Sequence, residues 1–339
     1  MNTTNATTPL FSVVVLNWNS VQHLRRCLAA LRQQTFRDFE VICIDNGSRD
    51  ESPAWIITQD LPALVGAPAT RLCLPVNTGF AAGMYTGIRR SRGRWVLPLN
   101  VDVVLADDFL ANAAQLADAH PEAGMLGATV FRFDGEPTDT VIAAAMRLTP
   151  WLSVATDTSA WEDERPAFGP AGCCPLFARQ ALEQTRLAAD LTKSRTVEYY
   201  DERYFAYGED VDLYLRMQVH GVRCLYSPRL RAWHVHAATQ SGIRWFEKDV
   251  ATLARLPANA FHTWLKNCPA GMLARLAPRV LPAAPVMALA LLWRRPRACL
   301  QPLRAIWRII RELPRDLRLR RRIQSSRTAS SAQLLAFMQ

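Results

Sequence analysis

The chain predicts an α/β fold built on a mostly parallel sheet with helices on both faces, and three observations carry the prediction. Apolar, β-branched runs of five to seven residues alternate with stretches whose apolar residues recur every three or four positions. The runs are apolar at successive positions, as strands covered by helices on both faces must be. Each run ends in a cluster of short polar residues, at the strand ends where an open α/β sheet holds its ligands.

The elements follow in order. Residues 10–16 (LFSVVVL) form the first strand and end at Asn17-Trp18-Asn19. Ser20 is placed to cap a helix with Val21, Leu24, Leu28 and Leu31 on one face. A second strand, Phe39 to Ile44, ends in Asp45-Asn46-Gly47-Ser48. A helical stretch over 51–60 and a short strand over 71–75 lead to Asn77-Thr78-Gly79. The next helix, about 79–91, carries Gly79, Gly83 and Gly87 at i, i+4 and i+8, a small-residue face for close approach to the sheet or a ligand. The strand from Trp95 to Leu99 then ends in Asn100-Val101-Asp102. Beyond it, 107–119 reads as helix and 125–133 as strand. Residues 134–170 have weak periodicity and are expected to be a loop-rich insertion suited to an acceptor pocket or lid. A turn and strand are expected within 169–177.

Composition narrows the class. Of 339 residues, 50% are hydrophobic and 21% charged, which is globular. The eight cysteines form no C-x-x-C pair, so no zinc site is expected. No G-x-G-x-x-G or Walker motif follows the first strand, which disfavours a dinucleotide oxidoreductase or an ATPase. Between Arg275 and Arg327 lie fourteen arginines and two acids, a local charge of +12 against +10 for the whole chain. The basic character therefore belongs to the tail, and no nucleic-acid partner is expected. The first residues carry no basic segment followed by an apolar run, so the expected location is cytoplasmic.

The segment Tyr204-Phe205-Ala206-Tyr207-Gly208-Glu209-Asp210-Val211-Asp212-Leu213 concentrates the chemistry. Val211, Leu215 and Val219 predict a helix over 210–220 that stops at Gly221. Glu209 and Asp210 then stand at its N-terminus, where free N–H groups and the helix dipole favour ionised carboxylates. Asp212 and Arg216, four apart, are expected to pair on the exposed face. An ionised Asp210 can take a proton from a hydroxyl within hydrogen-bond reach, although the same acids could serve only as caps. His234 and His236 follow as candidate metal ligands.

Seven segments in register over residues 10–240 resemble the family 2 glycosyltransferases of the GT-A fold, in their bacterial rhamnosyltransferase-like branch. They are VVVLNWNS, DNGSRDES, NTGFAAGMYTGI, LNVD, GPAGCCPLFAR, DERYFAYGEDVDLYLR and WHVH. Val101 stands where the family usually has Pro, and Met84 and Tyr85 where it usually has Asn. The resemblance implies a nucleotide diphosphate sugar as donor, dTDP-rhamnose being favoured, and an inverting transfer to a cell-surface glycan or lipid-linked acceptor. It implies Asp210 as general base with Glu209 in support, and Asp102 and His234 as ligands of a Mg²⁺ or Mn²⁺ ion on the diphosphate. Asn17, Trp18, Asn19, Asp45, Asn77, Gly79 and Asn100 would then line the donor pocket, with Trp18 placed to stack on the base. A UDP-hexose or another donor, or a non-catalytic membrane-bound scaffold, are the alternatives.

The expected division is a catalytic domain over 1–260, with donor binding in 1–104 and acceptor and catalytic groups in 105–260. A basic amphipathic helical tail over 261–325 and a flexible end over 326–339 would follow. In the tail, Ile306, Trp307, Ile310, Leu313 and Leu317 recur at helical spacing opposite an arginine face, which fits the interface of an anionic membrane. The apolar run from Val280 to Trp293 is too short to span a bilayer, so peripheral attachment to the inner face of the membrane is expected.

Overall fold

The computed structural model describes residues 8–149, 154–159, 161–191, 197–235, 250–280, 293 and 300–338. The first half keeps the predicted alternation: β1 (Phe11–Asn17), α1 (Val21–Gln33), β2 (Phe39–Asn46), α2 (Ser52–Thr58), α3 (Leu61–Val65), β3 (Ala69–Leu74), α4 (Phe80–Ile88) and β4 (Trp95–Asn100). Then come β5 (Val103–Leu105), α5 (Phe109–Ala119) and β6 (Ala123–Asp134). Strands β7 (Glu136–Ala143), β8 (Ala145–Leu148), β9 (Val154–Thr156), β10 (Arg165–Ala167), β11 (Gly169–Pro170) and β12 (Leu176–Ala178) follow. The chain continues through α6 (Arg179–Thr185), α7 (Glu209–Val219), β13 (Arg223–His234), α8 (Val250–Asn267), α9 (Ala270–Val280), α10 (Gln301–Ser325) and α11 (Ser331–Leu335).

One ten-stranded sheet runs β10-β13-β6-β12-β4-β1-β2-β3, with β5 on β13 and β7 on β6. The pairings make β3, β2, β1, β4, β6 and β13 all point the same way, while β5, β7, β10 and β12 run against them. The apolar runs are explained by this burial. Val13, Val15, Val41 and Cys43 face a core shared with Leu24, Leu28 and Leu31 of α1. Val14, Ile42 and Ile44 face the opposite core with Ala81, Met84 and Ile88 of α4. Each fully buried aliphatic side chain of this kind contributes about 1.5–3 kcal/mol. The glycines of α4 serve this packing: a Cβ on Gly87 would collide with Val14 and Ile44.

Two expectations are corrected. The described residues of 134–170 are not loop-rich: β7 extends the main sheet, and β8 and β9 pair with β11 in a second, three-stranded sheet. These short strands are set by tertiary pairing with β6 and with each other, which local periodicity does not register. Ser20 does not cap α1; its hydroxyl donates to the Trp18 carbonyl, and Asp50 accepts from the Val21 N–H instead. The tail is a helix as predicted: α10 turns Ala305, Asp316, Leu319 and Ile323 inward and leaves Ile306, Trp307, Ile310 and Leu317 exposed. α10 packs along α8, and both touch α7, while the boundary expected at residue 260 falls within α8.

Candidate active site

The polar clusters do converge at the carboxyl edge of the sheet. Asn17 and Asp45 end the neighbouring strands β1 and β2 in register, and the Asn17 amide donates to Asp45 at 3.0 Å. The other Asp45 oxygen accepts from Ser48 N–H, and the Ser48 hydroxyl accepts from Asn19 N–H at 2.8 Å. Asn19 adopts φ 50° and its carboxamide oxygen accepts from Arg49 N–H. Both Asn17 and Asp45 are buried, so they shape the floor, whereas Trp18 stands half exposed above it. One step along the edge, Asn46 donates to Asn77 and the Gly79 carbonyl and accepts from the N–H and hydroxyl of Thr78. Asn46, for which the sequence suggests no role, ties the loop of Asn77 and Gly79 to β2.

Asn100 ends β4, and its N–H donates to the Cys173 carbonyl at 2.9 Å. Asp102 follows, and β13, pairing with β5, returns His234 beside it, with Nε2 3.0 Å from the Asp102 carboxylate. Burial works against Asp102's charge, but the His234 hydrogen bond and charge prevail and hold its carboxyl below the usual range. Burial likewise disfavours a charged ring, yet Cys173 and Asp102 outweigh it and lift His234 to about 10. Cys173, hydrogen-bonded to Cys174 and buried, is held well above the ordinary thiol range, so at neutral pH Asp102 supplies the attracting charge.

Asp102 and His234 offer one carboxylate and one imidazole converging on one point. Among the described residues no group of three His, Cys, Asp or Glu ligands forms, and His236 lies outside the described residues. With the His234 proton displaced on binding, such a pair fits a hard divalent ion that takes its remaining ligands from water and phosphate oxygens.

Glu209 and Asp210 open α7 behind Gly208, which adopts φ 87°. One Asp210 oxygen accepts from Val211 N–H at 2.7 Å. The expectation that the helix start favours ionised acids is overridden at this pair. Burial, then the charge of Asp210, lifts Glu209 to about 8, and burial raises Asp210 against the Val211 hydrogen bond. Two close carboxyls, Glu209 buried and Asp210 partly so, share one charge. Both carboxyls are held above the ordinary range, and Glu209, at about 8, keeps its proton at neutral pH. Asp212 does pair with Arg216 at 2.6 Å, but both are buried and not outward-facing. They are drawn inward because α8 supplies Asn267 and Lys266 to Asp212 at 2.8 and 2.9 Å.

The two halves meet through the turn before β12. Cys173 holds Asn100 and adjoins His234, while its neighbour Gly172 lies against Asp210. A Cβ at Gly172 would stand 2.5 Å from the Asp210 carboxylate, so only glycine leaves the acid its place. The GPAGCCPLFAR segment was the available signal; what it touches appears only once β12 lies between β4 and β6.

A parallel-sheet α/β domain with acids and an imidazole at the carboxyl edge is the architecture of the GT-A enzymes. Residues 12–186 match the model of Glycosyl transferase family 2, and the chain belongs to that family: it is a glycosyltransferase. It is similar to the N-acetylglucosaminyl-diphospho-decaprenol L-rhamnosyltransferase of Mycobacterium tuberculosis, 28% identical over 264 residues that cover 69% of this chain and 78% of that one. A PGL/p-HBAD biosynthesis glycosyltransferase of Mycobacterium bovis is 29% identical over 301 residues, covering 85% and 99% of the two chains. The crystal structure of GalNAc-T7 with UDP, GalNAc and Mn²⁺ superposes with a TM-score of 0.60 at 13% identity, over 77% of this chain and 48% of that one, a likeness of fold.

Proposed function

We propose that the protein transfers a sugar, rhamnose from dTDP-rhamnose, from a nucleotide diphosphate donor to a lipid-linked or cell-surface glycan acceptor, with inversion at the anomeric carbon. The observation that carries this reading is the placement of Gly172 against Asp210 and of Cys173 against Asn100 and His234. Adjacent residues thereby join a base to a diphosphate end. The similarity to an L-rhamnosyltransferase whose name specifies a diphospholipid-linked acceptor supports the donor and acceptor classes.

In this reading Asp210 accepts the proton of the acceptor hydroxyl as its oxygen bonds to the anomeric carbon. The bond from that carbon to the diphosphate breaks, and its electron pair leaves with the nucleotide. Burial makes the Asp210 anion a stronger base than a surface aspartate. Protonated Glu209 keeps the site's charge low. Asp102 and His234 would hold a Mg²⁺ or Mn²⁺ ion, which when bound offsets the charge developing on the leaving diphosphate. Asn17, Asn19, Asp45, Asn77 and Gly79 form the wall against the nucleoside, and Trp18 is exposed enough to cover the base. A UDP-hexose donor would use the same geometry.

Thermal unfolding with dTDP, UDP and GDP, each with and without Mn²⁺, tests the donor. A nucleotide at a hundred times its Kd stabilises the fold by about 2.7 kcal/mol. The expected result is the largest rise in Tm with dTDP and Mn²⁺ together. A larger rise with UDP would move the donor to a UDP-sugar, and no rise with any of the three would overturn the nucleotide site.

The exposed face of α10 supports peripheral membrane attachment. Ile306, Trp307 and Ile310 are 52%, 61% and 64% exposed. The two acids of the helix are turned to other uses, Asp316 buried on Arg203 and His262 and Glu312 paired with Arg203 and Arg311. What faces outward is apolar and cationic, matching anionic lipid. No helix among the described residues is long and apolar enough to cross a membrane. Replacing Trp307 and Ile310 together by Ser is expected to weaken sedimentation with phosphatidylglycerol vesicles by on the order of tenfold or more. Unchanged sedimentation would remove α10 from the membrane contact. Substitution is the cleaner test, because deleting the helix would also strip Asp316 from its buried partners.

A further inference from the structure

The segment entering α7 is held in an unusual backbone conformation. Phe205 has φ 57° and Tyr207 φ 71°, with Gly208 at φ 87° between them and Glu209. A non-glycine residue in this region costs on the order of 1–3 kcal/mol and persists only where its surroundings over-determine it. On one side the hold comes from the donor wall: the Phe205 carbonyl accepts from Phe80 N–H at 2.5 Å and Ala81 N–H at 3.4 Å, and the Phe205 ring fills the space above Gly79. On the other side it comes from α8. The Asn259 amide donates to the carbonyls of Tyr207 at 2.8 Å, Tyr204 at 3.3 Å and Ala206 at 3.4 Å, and Arg255 lies over the Phe205 ring at 4.5 Å.

Asn259 is buried, and only the NH₂ end of its amide can face three carbonyl oxygens. Its own oxygen is left buried without a hydrogen-bond partner, which costs about 1–3 kcal/mol. A side chain kept merely to fasten α8 would gain more from an apolar contact.

We infer that Asn259 is a positioning residue: by gripping the carbonyls of residues 204–207 it sets how the chain enters α7, and so where Asp210 points relative to the donor wall at Gly79 and Phe80. The inference rests on the assignment of Asp210 as base. A base turned slightly from its acceptor loses rate without loosening the donor, since a 1 Å misplacement can cost about a hundredfold.

Four full-length variants test it: Asn259→Ala, Asn259→Ser, Arg320→Ala and Asp210→Asn. Arg320 caps the end of α8 through the carbonyls of Leu265 and Cys268, remote from the loop, and serves as a control for stability alone. The donor is whichever of dTDP-rhamnose, UDP-N-acetylglucosamine and GDP-mannose the parent turns over fastest, and assays run at least about 10 °C below the lowest Tm. Asn259→Ala is expected to lower kcat about tenfold or more with donor KM within about twofold. Asn259→Ser, retaining one donor, is expected to fall between, and Arg320→Ala to lower Tm with kcat nearly unchanged. The inference is overturned if Asn259→Ala keeps its kcat, or if Arg320→Ala loses as much kcat as Asn259→Ala. Should Asn259→Ala not fold, a parental kcat in Asn259→Ser overturns it equally. Full activity in Asp210→Asn would instead remove the base assignment beneath it.

Discussion

Asp210→Asn is expected to lower kcat by about 10²–10⁴-fold while nucleotide affinity stays within about twofold of the parent. The amide has the shape of the carboxylate, and its oxygen can still accept from Val211 N–H, so α7 keeps its first turn. What disappears is the capacity to take a proton. Glu209 is a poor substitute: the variant removes the Asp210 charge that helps to raise it, but burial, the larger cause, still holds its carboxyl above the ordinary range. Single-turnover transfer rates together with calorimetric nucleotide titration separate the two quantities. Parental turnover in the variant would sink Asp210 as base, and a large loss of nucleotide affinity would mean that the acid serves donor binding.

The largest effect on stability is expected from Lys266→Met. Lys266 is fully buried on α8, with Nζ 2.6 Å from Asp201 and 2.9 Å from Asp212. Asp201 also meets Arg203, which reaches Asp316 on α10, and Asp316 meets His262. Removing one cation from such a network leaves buried carboxylates under-compensated and costs about 3–5 kcal/mol, although exchanging the whole network for apolar groups could be neutral. Against a typical total of 5–15 kcal/mol, that loss is large. Urea unfolding at neutral pH should show it as a lower midpoint, and a change under about 1 kcal/mol would contradict the account. The pH dependence has a definite sign. Burial opposes the charge of Asp201, but Arg203 and Lys266 overcome it and hold the carboxyl well below its usual range. Burial opposes that of Asp316 too, but His262 and Arg203 hold it low. A depressed folded value contributes stability above the unfolded pKa and loses it as pH falls through the folded value. The contribution of these two acids is therefore intact at neutral pH and disappears only in acid.

The same contacts tie the C-terminal helices to the α7 region. Lys266, Asn267 and Asp316 are single polar residues in amphipathic helices, and nothing local marks them as buried. Their burial depends on Asp201, Arg203 and Asp212, dozens of residues away. The arginine content was legible, but which face of α10 turns inward was decided by those acids. The apolar stripe of Ile306, Trp307, Ile310 and Leu317 is outward, flanked by arginines, and a narrow line through Ala305, Asp316, Leu319 and Ile323 makes the contact with the rest of the chain.

Strand and helix identity in the first hundred residues was determined by residue order, because Val13 to Val15 and Ile42 to Ile44 are apolar on both faces and only a covered parallel strand satisfies that. The polar strand ends were equally legible, since short side chains such as Asn17, Asp45, Asn77 and Asn100 punctuate those runs. Which of them meet was a matter of tertiary structure. Asp102 and His234 are 132 residues apart and are joined only by the pairing of β5 with β13. Glu209 and Asp210 could be named from sequence, but not that burial would raise both and keep Glu209 protonated. Charge state depends on the dielectric and the neighbours that folding assembles, and neither is encoded within the reach of a local motif.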